Sequence, residues 1–141
     1  MLKVYVDGSF YQGMYGGGYV VYDRNDIIWQ DCGVGRNDKE LLSMRNVSGE
    51  MTAAMRATNW IKEHKEKAII YHDYNGLGYW ARLEWKRNNK FTKAYAEYMN
   101  PFLENGTIVM KWVKGHKGIE GNEIADRLAK QAILHNQEWK F

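Results

Sequence analysis

Three β-rich runs occupy roughly the first 34 residues of the chain, and the turns between them are too short to carry a chain across a sheet. Residues 2–7 alternate, with Leu2, Val4 and Val6 on one face and Lys3, Tyr5 and Asp7 on the other. A glycine-rich turn follows, and Gly18-Tyr19-Val20-Val21-Tyr22-Asp23 reads as a second strand. Arg24-Asn25-Asp26 is turn-like, and Ile27-Ile28-Trp29 begins a third strand reaching about Val34. Three β-rich runs joined by short polar turns suggest an antiparallel meander.

The period then changes. Over residues 48–64, Ala54, Ala57 and Ile61 fall at helical spacing, with Ala53 and Trp60 beside them. Residues 68–71 are a short β-branched strand, and 107–113 another. Residues 75–104 read as helical, broken by a basic, Trp-containing interruption over 84–90. A last helix over 123–135 repeats Ile124, Leu128 and Ala132. The order β-β-β-α-β-α-β-α predicts an α/β fold in which helices cover a mixed sheet.

At 141 residues the chain is expected to be one domain spanning 1–141. A single cysteine, Cys32, excludes an intramolecular disulfide and fits a reducing, cytoplasmic setting. No run approaches ~18 uncharged apolar residues, so no membrane span is expected. The N-terminus has too short an apolar run and too early an acid for a signal peptide. Net charge is only +3, but its distribution is uneven. Residues 82–95 set Arg82, Lys86, Arg87, Lys90 and Lys93 against Glu84 alone, and residues 111–117 hold three lysines and no acid. Such clusters make phosphate the first partner to consider.

Four carboxylates stand at element ends that can converge. Asp7 closes the first strand, with Gly8-Ser9 letting the chain turn at once, and Glu50 begins the stripe 50, 54, 57, 61 of the long helix. Asp73 ends the run Ile69-Ile70-Tyr71-His72, and Asp126 lies in the first turns of the last helix. Taken singly each has an ordinary role: a turn former, a partner of the helix dipole, an N-cap, a solvated helix residue. In an α/β sheet, however, ligands bind beyond the strand ends, and carboxylates gathered there repel unless a cation neutralises them. Oxygen ligands in that number suit Mg²⁺ or Mn²⁺ rather than zinc.

The sequence resembles type I ribonuclease H. The resemblance is carried by Tyr5-Val6-Asp7-Gly8-Ser9, Gly49-Glu50-Met51-Thr52-Ala53-Ala54 and His72-Asp73-Tyr74-Asn75. Most specific is Trp112-Val113-Lys114-Gly115-His116-Lys117-Gly118, continuing to Asn122-Glu123-Ile124-Ala125-Asp126-Arg127-Leu128-Ala129. The resemblance implies a five-stranded mixed sheet, an antiparallel meander plus two parallel strands, flanked by helices. It further implies that Asp7, Glu50, Asp73 and Asp126 hold two Mg²⁺ ions, replaceable by Mn²⁺, about 4 Å apart. The substrate would be the RNA strand of an RNA–DNA hybrid, cut endonucleolytically to leave 5′-phosphate and 3′-hydroxyl ends.

Further roles follow from the same resemblance. His116 would assist proton transfer or product release, and Glu123 would stand behind the metal ligands. Asn46 and Asn75 would meet the ribose 2′-OH, the group that marks RNA in a hybrid. Backbone groups of the loop over 8–17 would add to this. Trp80, Trp85, Lys86 and Arg87 would track the DNA strand, against the alternative of an amphipathic helix with Trp in the core. The sequence departs from the family in its first loop (Phe10-Tyr11-Gln12-Gly13-Met14-Tyr15), at Val47 and at Tyr74. With the first catalytic strand starting at Leu2, no separate hybrid-binding module and low processivity are expected. A monomer is expected as well. Competing readings are a catalytically silent nucleic-acid-binding domain, a domain of a larger protein such as a reverse transcriptase, and another two-metal nuclease.

Overall fold

The structure, a computed structural model, describes residues 1–35, 38–114 and 118–141. Its opening strands, β1 (Leu2–Tyr11), β2 (Met14–Asp23) and β3 (Asp26–Gly35), form the antiparallel meander. Strands β4 (Ala68–His72) and β5 (Ile108–Trp112) extend it in parallel, giving the order β3-β2-β1-β4-β5. Helices α1 (Lys39–Ser43) and α2 (Asn46–Glu63) lie between β3 and β4 in the chain. Helices α3 (Gly76–Ala81) and α4 (Lys90–Glu104) lie between β4 and β5, and α5 (Glu120–Leu134) follows. Among the described residues no helix is long and apolar enough to cross a membrane.

Period two divides the sheet's side chains between two cores. Leu2, Val4 and Val6, with Tyr19, Val21 and Ile70, bury one face against α2, α3 and α4, where Ala54, Ala57 and Ile61 form the stripe read from the sequence. Val20, Tyr22 and Cys32 bury the other beneath Ile124, Leu128 and Ala132 of α5.

The glycine-rich turn lies elsewhere than the sequence suggested. Tyr11 pairs with Met14, and Gln12 and Gly13 both have positive φ (49° and 72°), the signature of a two-residue hairpin turn. Asp7 therefore does not close the first strand, which pairs on through Gly8-Ser9 to Tyr11; the segment over 8–17 is a hairpin rather than a loop, and Gly16, Gly17 and Gly18 lie inside β2. Their role is steric. A Cβ on Gly16 or Gly18 would strike the α5 backbone at Ala129 and Ala125, and one on Gly17 would strike the Gly49 carbonyl of α2. Alternating direction along the strand lets one glycine triplet admit a helix on each face.

Two helix starts also differ. α2 begins at Asn46 and α5 at Glu120, each earlier than its apolar repeat, because a first turn needs no buried face. α1 was not anticipated; it is one short turn capped by Asp38, whose side chain accepts from the amides of Glu40 and Leu41. The interruption before α4 falls where expected, and a reciprocal Asn89/Thr92 cap restarts the helix.

The chain ends by covering the exposed edge of the meander. Val34 donates its amide to the Gln137 carbonyl (2.9 Å), and Trp139 packs against Gly33 and stacks on Tyr19. Buried Asp31 accepts from the amides of Cys32 (2.9 Å), Lys140 (3.0 and 3.1 Å) and Phe141 (3.0 Å). Asp31→Ala strands these donors and should lower unfolding free energy by roughly 2–4 kcal/mol in urea titration, with Asp31→Asn costing less. An alanine variant as stable as the parent would remove this clasp from the fold's support.

Candidate active site

Asp7 lies on β1 opposite Gly18 of β2, and its Oδ1 accepts from the Gly8 amide at 2.8 Å. Gly8 is the reason a helix can sit here. A Cβ on it would collide with the backbone of Asn46 and Glu50, so the first turn of α2 rests directly on β1. Glu50 is thereby fully buried beside Asp7. Its Oε2 accepts from the amides of Asp73 (3.1 Å) and Tyr74 (3.4 Å), and its Oε1 is buried without a hydrogen-bond partner.

Asp73 follows β4 and is held by its backbone. Its carbonyl accepts from the Trp112 indole at 2.9 Å, and Val113 continues the β4–β5 ladder by donating to the His72 carbonyl at 2.8 Å. Asn75, not Asp73, occupies the cap position of α3, and it makes no side-chain capping bond. The capping alternative for Asp73 is thus set aside. His72 is buried, with Nδ1 2.8 Å from the Tyr74 carbonyl.

Asp7, Glu50 and Asp73 each place a carboxylate oxygen within 4.8 Å of the others. Asp126 approaches from α5 closely enough for its charge to act on Asp7, while Lys130 one turn on pairs with it at 3.0 Å. The four acids predicted from the sequence therefore meet, three in a tight cluster and Asp126 on its flank.

Burial and then the neighbouring Asp73 push the Asp7 carboxyl up to about 8, opposed by the Gly8 amide and assisted to a lesser degree by Asp126. Burial, with Asp73 and Asp7 close by, raises Glu50 well above the usual range. Without a cation the cluster holds protons that carboxylic acids ordinarily release. A divalent cation would displace them. The donor set is all oxygen, it contains an orphaned buried oxygen, and it concentrates negative charge where water cannot screen it. These features fit a hard cation such as Mg²⁺ or Mn²⁺.

The remaining sequence-predicted residues are spread around this cluster. Asn46 is exposed at the start of α2, Asn75 half-buried at the start of α3, and Glu123 exposed on α5. His116 lies outside the described residues. Trp80 packs partly against the main core, whereas Trp85 is 37% exposed and Lys86 fully on the surface. The Arg87 guanidinium donates to the Trp85 carbonyl at 3.0 Å. Sequence reading missed the company Trp85 keeps: it stacks on Tyr79 at 4.9 Å and meets Tyr74 and Trp80 edge-on. It also missed the Trp112–Asp73 bond and the burial of Asn122, neither of which has a local signature.

Solved structures share this fold. RNase H1 of the halophilic archaeon Halobacterium salinarum NRC-1 superposes with a TM-score of 0.77 at 16% identity, covering 95% of this chain and 98% of that one. LC11-RNase H1, solved in complex with an RNA/DNA hybrid, gives 0.71 at 12% identity over 94% and 99% of the two chains. In sequence, the Ribonuclease H of Dichelobacter nodosus (strain VCS1703A) is 31% identical over 148 aligned positions, covering 94% of this chain and 92% of its own length. The RNase H family model matches residues 1–134. The chain belongs to the RNase H family.

In the metal-free protein, Asp7 keeps its proton until about pH 8, while an unfolded aspartate releases it near 3.8. Between those limits the unfolded state binds fewer protons, so stability falls as pH rises. Thermal melts in EDTA should show a loss on the order of a few kcal/mol from about pH 5 to 8. Asp7→Asn should flatten that slope, and added Mg²⁺ should reverse it for the parent. A flat profile in the parent would contradict the crowding of protonated acids described here.

Proposed function

We propose that the protein is an endonuclease that hydrolyses the RNA strand of RNA–DNA hybrids with two divalent cations, Mg²⁺ or Mn²⁺, leaving 5′-phosphate and 3′-hydroxyl ends. The observation that carries this reading is the cluster of Asp7, Glu50 and Asp73, drawn from three separate elements to within 4.8 Å in a chain of the RNase H family. The hybrid bound by LC11-RNase H1, a protein of the same fold, supports the choice of substrate.

The cations supply Lewis acidity at the scissile phosphate and lower the pKa of water. Asp7, within β1, and Asp73, just past the end of neighbouring β4, would hold them, and Glu50 would do so through the oxygen it leaves uncommitted. Asp126, tied to Lys130, completes the anionic wall from α5. His116 assists proton transfer or product release, and Glu123 stands behind the ligands. Asn46 and Asn75 flank the cluster from the starts of α2 and α3, where they meet the ribose 2′-OH. Trp85, Trp80, Lys86 and Arg87 line the neighbouring surface and hold the DNA strand by sugar contact and phosphate charge. The reading includes a monomer acting in the cytoplasm.

One labelled sequence, prepared as RNA–DNA hybrid, RNA duplex, DNA duplex and single-stranded RNA, tests this with Mg²⁺, Mn²⁺ and excess EDTA. Cutting should be confined to the hybrid's RNA strand and vanish in EDTA. Asp7→Asn should lower the rate at least ~100-fold while the protein remains folded. Hybrid binding without any cleavage by the parent would instead identify a silent binding domain.

A further inference from the structure

The second core leaves part of its sheet face in the open. α5 packs over β1, β2 and β3, and beyond it the same face continues across β4 and β5. Strand register sets out what stands there. Tyr5 pairs with Tyr71 and Tyr71 with Lys111; one pleat away, Lys3 pairs with Ile69 and Ile69 with Val109. Lys3 and Lys111 are exposed, Val109 is 44% exposed, and Ile69 and Tyr71 are half-buried. The Tyr5 and Tyr71 rings stack with centroids 4.8 Å apart. At the foot of the face a cleft of about 400 Å³ is lined by Lys3, Arg24, Asn25 and Tyr22. Its acid, Glu120, is engaged by the Tyr22 hydroxyl at 2.6 Å.

Two features specify an occupant. Cations flank stacked aromatic rings on a surface with little apolar depth, which suits a polyanion carrying flat bases better than a peptide or a lipid. The face is also continuous with the carboxylate cluster. Asp7 stands on the same face of β1 as Tyr5 and Lys3, so successive side chains step away from the acids by roughly 7 Å each. A strand leaving the cluster along β4 meets Tyr71, backed by the Tyr5 ring, first, then Lys3 and the cleft.

We infer that the open face of β4 and β5, bordered by Lys3 of β1, is a binding track for single-stranded RNA extending from the hybrid, with Tyr71 as stacking platform and Lys3 and Lys111 as phosphate contacts. The inference rests on the proposed cleavage site only for where the strand starts. A track of this kind would favour hybrids with an unpaired RNA extension over blunt ones.

Binding is measured by fluorescence anisotropy in EDTA, which prevents cutting. The ligands are a blunt hybrid, the same hybrid with a single-stranded RNA extension, its counterpart with a DNA extension, and the RNA extension alone. The parent should bind the RNA-extended hybrid roughly five- to tenfold more tightly than the blunt one. Lys3→Glu combined with Lys111→Glu should abolish that advantage while leaving blunt-hybrid affinity and Mg²⁺-dependent cleavage of the blunt hybrid unchanged. Both lysines are exposed, so a melting temperature matched to the parent's is expected. Tyr71→Leu, which keeps an apolar side chain, should weaken the advantage without reversing charge.

An equal gain from the DNA extension would widen the track to single strands of either kind, overturning its restriction to RNA. No advantage in the parent, or one that survives both charge reversals, would overturn the inference even if blunt hybrid is cut as proposed. If the hybrid is neither bound nor cut, the proposed function fails. Loss of binding to the isolated RNA in the double variant would then still support the track.

Discussion

Backbone against backbone is the contact on which everything else rests. Gly8 on β1 and Gly18 beside Asp7 on β2 lack the atoms that would hold helices away from the sheet. Through Gly8 the first turn of α2 descends onto β1 and delivers Glu50; through Gly18, α5 descends at Ala125 and delivers Asp126. Ordinary helix–sheet packing, with side chains interleaved, would leave the four carboxyl groups too far apart to crowd. The close approach is a steric fact with an electrostatic result. It forces charges together at a cost that side-chain packing on both faces must offset.

That cost explains how stability and chemistry are divided in the molecule. The apolar cores lie along the strands, and the acids gather beside the middle of β1 and the C-terminal end of β4. Asp73 is fixed by its backbone, through the Trp112 indole and the amide it donates to Glu50, rather than by packing of its side chain. The Asp31 clasp, among the chain's last residues, supports the meander from the opposite edge of the sheet.

Much of this was legible in the sequence, for identifiable reasons. The alternation of Leu2, Val4 and Val6 and the stripe Glu50, Ala54, Ala57, Ile61 are local patterns with a fixed period, and a single face of burial accounts for both. The acids were legible because they interrupt those patterns, although Asp7 lies within β1 and not at its end. What stayed hidden was either ambiguous or long-range. Gly16-Gly17-Gly18 carries the same letters whether it turns a chain or lies under two helices, and only the partners Gly49, Ala125 and Ala129 decide. Asp31 looks like any strand residue until Lys140 and Phe141 return to it. Trp112 reads as an exposed aromatic until its indole is seen on the Asp73 carbonyl.

The aromatic cluster beside Asp73 has an optical meaning. Tyr74 directly follows that acid, and its ring lies against Trp80 and partly exposed Trp85. Indole emission shifts with the polarity around the ring, so a molecule that settles over Trp85 and excludes water changes the light the protein gives off. Buried Trp60, stacked between Trp29 and His64 far along α2, supplies an emission that such an event leaves alone. The protein thus carries both a reporter of its own occupancy and a reference against which to read it, with no label added.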